Sequence, residues 1–195
     1  MLDAGNWIAK TRRAAGRDQD IGRADAVAIR QLNRMRIDED GAIFEGYTDA
    51  GIVGIRQGTS NPKKPLPADV RQYPDAIAQA LSQLRLVGVN GPYAVLLGAE
   101  AYTALAETSD QGYPVLEHVK RLVDDKIIWA PAIEGAFVLT TRGGDFELHI
   151  GQDVSIGYLS HTDSAVRLYL QETFTFLLLT SEAAVALSPS PKETT

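Results

Sequence analysis

An α+β fold is predicted for this chain of 195 residues, and three features predict it. Stretches at 23–44, 74–86 and 115–122 place apolar residues three and four apart, the spacing of one helix face. A series of short β-rich runs separated by Gly, Pro and Asp occupies the second half. Near the end, Val166, Leu168 and Leu170 alternate with Arg167, Tyr169 and Gln171, the period of a half-buried strand.

Taken in order, Val27, Ala28, Leu32 and Met35 form the apolar stripe of the first helix, over 23–44. The acids at 38–40 interrupt that stripe, and Gly41 and Gly46 weaken its end. Residues 51–67 contain GIVGIR and NPKKPLP, and the prolines at 62, 65 and 67 favour an extended surface loop over a helix. Pro74 suits the first turn of a second helix, with Ile77, Ala80, Leu81 and Leu84 as its buried face to about Leu86. Residues 93–97, bounded by NGP and Gly98, read as a buried strand, and 99–106 as the helix after it. Beyond the loop TSDQGYP, Val115, Leu116, Val119 and Leu122 keep helical spacing to about Asp124. Four short strands follow at 127–129, 136–140, 146–150 and 154–158. The alternating segment from 165 continues towards 187, and the polar ending SPSPKETT reads as a mobile tail.

Composition narrows the class. With 45% hydrophobic and 23% charged residues, the chain is an ordinary globular one, not a disordered, collagenous or coiled-coil sequence. A domain of this length buries roughly 70% of its unfolded surface and needs no disulfide or metal staple. No cysteine is present, which removes thiolate nucleophiles, disulfides and thiolate metal sites and makes a reducing cytoplasm the expected location. No apolar run reaches the roughly 18–20 residues of a membrane span, and charges stand where a secretory signal needs its apolar core. No membrane partner is therefore expected. The net charge of −6 is uneven: up to Arg36 there are eight basic residues against four acidic ones. Those arginines lack interleaved aromatics, so they read as a solvated helix face or subunit contact and no nucleic-acid partner is expected.

Catalytic motifs are missing. The chain has no phosphate-binding GxxxxGK, no GxGxxG, no GxSxG and no HExxH. His118, His149 and His161 are dispersed and read as structural or exposed residues. Asp38, Glu39 and Asp40 are consecutive and diverge around a helix, which favours a solvated face over a cation site. Gly143, Gly144 and Asp145 read as a tight turn before an anion nest. No catalytic residue, metal or cofactor is assigned.

The sharpest signal is a resemblance. The run TTRGGDFELHIGQDVSIGY and the following DSAVRLYLQETFTFLLLTSEAAVAL are similar to the C-terminal half of encapsulin shell proteins, also called the linocin-type bacteriocin family. The similarity continues upstream through IIWAPAIEGAFVLTTRGGDF, SDQGYPVLEHVKRLVD, LRLVGVNGPYAVLLGAEAYTALAE and AIFEGYTDAGIVGIR. It spans about 40–188 and is nearest the actinobacterial branch.

That resemblance implies the major-capsid-protein fold of tailed phages, the Hong Kong ninety-seven type, with peripheral and axial domains. It implies a peripheral spine helix and loop over 23–72, an axial domain over 73–135, remaining axial and peripheral strands over 136–187, and a flexible tail over 188–195. Relatives carry an N-terminal helix and an extended loop ahead of the matched part. Residues 1–22 are accordingly expected to be a lead-in or loop remnant in an N-terminally truncated subunit with altered assembly.

The implied function is structural: a homo-oligomeric subunit of an icosahedral nanocompartment enclosing a peroxidase or ferritin-like cargo, with roles in iron storage and oxidative stress. Ser109, Asp110, Gln111, Gly112 and Tyr113 are the implied pore loop, in which repeated Asp110 carboxylates form a ring favouring cations. Asp153, Val154, Ile156 and Tyr158 are the implied half of a groove for a cargo targeting peptide, expected to bind weakly here. Core packing is the competing reading for Val154 and Ile156. A small α/β enzyme and a bacteriocin-like secreted protein are the alternative functions.

Overall fold

The computed structural model describes residues 8–17, 21–123, 126–163 and 165–190. Strand β1 (Ile8–Arg17) precedes the 25-residue helix α1 (Ile21–Glu45). A 3-10 turn at Thr48–Ala50 leads to the short helix α2 (Ile55–Gly58) and strand β2 (Lys64–Leu66). A second 3-10 turn, Val70–Gln72, opens α3 (Tyr73–Leu86), followed by β3 (Tyr93–Leu97) and α4 (Ala99–Glu107). Next come β4 (Ser109–Asp110), β5 (Tyr113–Pro114), α5 (Val115–Lys120), β6 (Ile127–Trp129) and β7 (Ala136–Thr140). The long strands β8 (Phe146–Thr162) and β9 (Ala165–Leu178) and the final β10 (Ala184–Pro189) complete the chain.

Two main sheets organise these elements. In the first, β9 lies between β1 and β8 and is antiparallel to both. The second has the order β2-β10-β7-β3-β6, antiparallel at β10/β7 and β7/β3 and parallel at its two edges.

The central strands β10, β7 and β3 of the second sheet are buried on both faces, and strand alternation decides which residue serves which core. Val95, Leu97, Ala136, Val138, Val185 and Leu187 face a core completed by α3, α4 and α5. Their neighbours Ala94, Leu96, Phe137, Leu139, Ala184 and Ala186 face a second core with Ala42 of α1, Ile55 of α2, and Phe174 and Phe176 of β9. This second core joins the five-stranded unit to the long helix and the long hairpin.

The chain turns sharply after α1. Gly46 stops the helix at φ +84, and a Cβ on Gly54 would lie 2.1 Å from the Gly46 nitrogen. The two backbones cross where a methyl group has no room, so Gly54 is dictated by contact. Arg56 reinforces the crossing by pairing with Glu45 and lying 4.5 Å over the Phe137 ring.

Several expectations are modified. Residues 51–67 are not wholly loop: they include α2, and β2, which pairs parallel with β10. Pro65 is accommodated there because β2 is an edge strand. The expected helix from Val115 ends at Lys120, while Asp124 lies outside the described residues. The two strands expected at 146–150 and 154–158 are one strand with register shifts between Ile150 and Gln152, between Gln152 and Ser155, and between Tyr158 and Ser160. A bulge replaces the expected turn. Of the stretch read as tail, Ser188 and Pro189 belong to β10, and 191–195 lie outside the described residues. Within the lead-in, 1–7 and 18–20 also lie outside them, while Ile8–Arg17 forms β1.

Candidate functional site

The five residues of the expected pore loop come together as a protruding hairpin. Ser109 pairs with Pro114 and Asp110 with Tyr113, leaving Gln111 and Gly112 as the two-residue connection. Both connecting residues have positive φ, +48 and +83, as the tight turn joining two antiparallel strands requires. The base is fixed to the preceding helix: Val115 N–H donates to Thr108 O at 3.0 Å and Thr108 Oγ1 to Ala104 O at 2.7 Å.

All five residues from Ser109 to Tyr113 are exposed. Tyr113 is nevertheless held. Arg121 Nη2 donates to its hydroxyl at 2.5 Å, and His118 approaches its ring edge-on at 4.8 Å between centroids. Neither supporting residue was singled out from the sequence as part of this loop. The available signal was α5 itself, which returns its polar positions to the hairpin it follows. Asp110 also acts electrostatically on Arg71, whose main partner is Asp69 at 3.1 Å.

The expected groove residues lie on β8, the edge strand of the first sheet. Ile156 is opposite Leu170 and Tyr158 is opposite Leu168, so each pair shares one face. On that face of β9, Leu170, Glu172, Phe174 and Phe176 are buried. Burial does not extend to Leu168, 39% exposed, or to the edge strand, where Ile156 is 60% and Tyr158 58% exposed. Core packing is thereby corrected for Ile156, and Val154 is also exposed.

Leu148 and Ile150, opposite Phe176 and Phe174, extend the same exposed stripe. Neither belongs to the groove expected from the sequence, although their alternation with Glu147 and His149 is a signal for it. Asp153 and Val154 fall within the bulge, where Asp153 Oδ1 accepts from the Val154 N–H at 2.7 Å. Tyr158 hydrogen-bonds with His161 Nδ1. Gly157 lies beneath Tyr169 on the opposite face, where a Cβ would collide with the phenol ring.

The other residues weighed as sites do not converge. His149 Nε2 is 3.0 Å from Glu147 Oε2, at an exposed position. Asp145 is buried and accepts from Arg142 through both carboxylate oxygens, at 2.8 and 2.9 Å. Those bonds, with another from Thr180, hold its carboxyl below its ordinary pKa. Burial instead raises the Asp40 carboxyl, partly opposed by Arg36. Among the described residues, no group of three or more His, Cys, Asp or Glu could hold a metal ion. No helix among them is long and apolar enough to cross a membrane.

The family model described as an encapsulating protein for peroxidase, Linocin_M18, matches residues 12–175. Type 1 encapsulin shell proteins from Mycobacterium tuberculosis and Rhodococcus erythropolis are 66% and 62% identical, each over 77% of this chain and 57% of its own length. The chain thus spans little more than half of these relatives. A virus-like particle from Pyrococcus furiosus superposes with a TM-score of 0.71 at 16% identity, over 93% of this chain and 76% of the other. The subunit of Gordonia phage Cozz gives 0.70 at 13%, over 95% and 71%. The capsid of phage XM1 gives 0.60 at 12%, over 94% and 74%. The fold is that of phage-type capsid subunits.

Proposed function

Since the chain belongs to the Linocin_M18 family of encapsulating proteins, we propose that it is a structural subunit of an encapsulin shell, one of many identical copies enclosing a protein cargo. The observation that carries this reading is the pairing of a capsid-type fold with the uncovered apolar stripe Leu148, Ile150, Ile156 and Tyr158. Solvent exposure of such a stripe is costly for an isolated subunit, at about 25 cal/mol per Å² of apolar surface.

The exposed hairpin Ser109 to Tyr113 is assigned to a pore around a symmetry axis, where repeated Asp110 side chains present negative charge to entering cations. Arg71 tempers that field. The β8 stripe, with Asp153 and Val154 in its bulge, is assigned to the inner groove for a cargo peptide. Apolar peptide side chains would meet Ile156 and Tyr158, and Asp153 would attract a basic residue.

A peroxidase or ferritin-like cargo, a place in iron storage or oxidative stress, and a cytoplasmic compartment belong to the same proposal. In this reading the spine helix and loop over 23–72 belong to the peripheral domain, 73–135 to the axial domain, and 136–187 to the remaining axial and peripheral strands. Catalysis belongs to the cargo. Light scattering on the purified chain tests the reading: a mass many times the 21.1 kDa of one copy is expected, and a monomer at every concentration would refute it.

A further inference from the structure

A cleft of about 710 Å³ opens at the end of the five-stranded sheet, between the starts of α3 and α4 and the loop before β7. Small apolar groups form much of its wall, including Ala101, Ala104 and Ile133, while Glu100 and Glu134 are exposed carboxylates along it. Tyr73, only 6% exposed, also lines the cleft.

The opposite end of α3 has complementary features. Leu86 is 83% exposed, the highest value among the large apolar side chains, and Val87 beside it is 40% exposed. The adjoining Arg85 is exposed and lies 5.4 Å over the Tyr93 ring. Gly88 then turns the chain at φ +80. This corner is therefore an apolar knob beside a positive charge.

We infer that the Leu86/Val87 corner of one copy inserts into the Glu100/Glu134 cleft of a second copy, with Arg85 facing the two carboxylates. The inference rests on the shell reading and names one of its contacts. Leu86 and Val87 exchange water for Ala101, Ala104 and Ile133. That end carries the negative pole of α3 and meets the positive pole at the start of α4.

Donor and acceptor surfaces stand at opposite ends of a 14-residue helix, about 20 Å apart at 1.5 Å per residue. A contact between two different patches propagates from copy to copy and closes into a ring when the rotation permits. That is the geometry required around a capsid symmetry axis.

The absence of native cysteines makes the test direct. Ala132 also lines the cleft, between Pro131 and Ile133, and a Leu86→Cys/Ala132→Cys chain, oxidised after assembly, is expected to give a ladder of disulfide-linked multimers, whereas either single variant gives none. Linkage of Leu86→Cys alone would reveal a self-complementary patch and overturn the inference. Assembled particles without a ladder would overturn it while leaving the shell reading intact. Monomers in light scattering would overturn both. As an independent check, Leu86→Asp should reduce the assembled fraction at least tenfold without lowering the urea midpoint; undiminished assembly would contradict the contact.

Discussion

Arg56 and Glu45 form a two-pronged ion pair across the crossing between α1 and α2: Nε lies 2.6 Å from Oε2 and Nη2 lies 2.9 Å from Oε1. The same guanidinium donates to Glu134 O at 2.6 Å and contacts Ser188 Oγ at 3.3 Å. One side chain thus links the end of the long helix to β10 and the loop before β7. Arg56→Ala should cost about 2 kcal/mol in urea unfolding, the scale of charged hydrogen bonds. Arg56→Lys should recover only part, because an ammonium cannot reproduce the planar fork. Full stability in both variants would show that this link is dispensable.

The glycine crossing makes a stronger prediction. Gly54→Ala forces a methyl carbon to within 2.1 Å of backbone nitrogen, so it should destabilise by more than about 3 kcal/mol or prevent folding. Gly143→Ala supplies the control. That residue has positive φ but no atom within 4 Å of a new Cβ, and only strain of roughly 1–2 kcal/mol is expected. Chemical denaturation should separate the two variants clearly, and equal effects would place the crossing wrongly.

The sequence disclosed this architecture unevenly, for physical reasons. Helix α3 was legible because Ile77, Ala80, Leu81 and Leu84 all point into one core and Pro74 marks its first turn. The continuity of β8 was not, because Gly151, Gln152 and Asp153 have turn composition but form a bulge whose register β9 maintains. Strand β1, within the segment expected to be a lead-in or loop remnant, is not legible from alternation, because IAKTRRAAGR has few alternating apolar residues and its pairing with β9 is nonlocal. The same limit applies to the site. Ile156 and Leu170 share a face and similar chemistry, yet one is exposed and the other buried. Their positions in the sheet make that difference, and alternation alone does not encode it. The pore role proposed for 109–113 comes from family resemblance alone, whereas the hairpin itself and its Arg121 and His118 contacts required the fold.

Two aspartates should produce opposite pH effects. Asp145 has a folded-state pKa depressed first by its Arg142 hydrogen bond. Its contribution is therefore present above the unfolded value, about 3.9, and is lost as pH falls through the lower folded value. Asp145→Asn should destabilise more at pH 7 than at pH 2.5 in denaturation curves. A pH-independent difference would exclude this role.

Asp40 has a folded-state pKa raised by burial. Ionisation therefore opposes folding as pH rises from the unfolded value through the folded one. Asp40→Asn should raise the urea midpoint at pH 7 and lose that advantage at pH 3. A neutral-pH loss of stability would mean that its partners outweigh its burial.

The charge assigned to the pore can be reversed at an exposed position. Asp110→Lys in assembled particles should slow ferrous iron entry several-fold, and Asp110→Asn should have a smaller effect in the same direction. Iron uptake followed by absorbance provides the measurement. Unchanged entry in both would remove Asp110 from the pathway.

Imaging provides the most direct test of the shell itself. In negative stain, the purified chain should show closed, hollow particles of uniform diameter built from many copies. A field containing only separate subunits or open, irregular aggregates, with the chain folded by circular dichroism, would contradict the account.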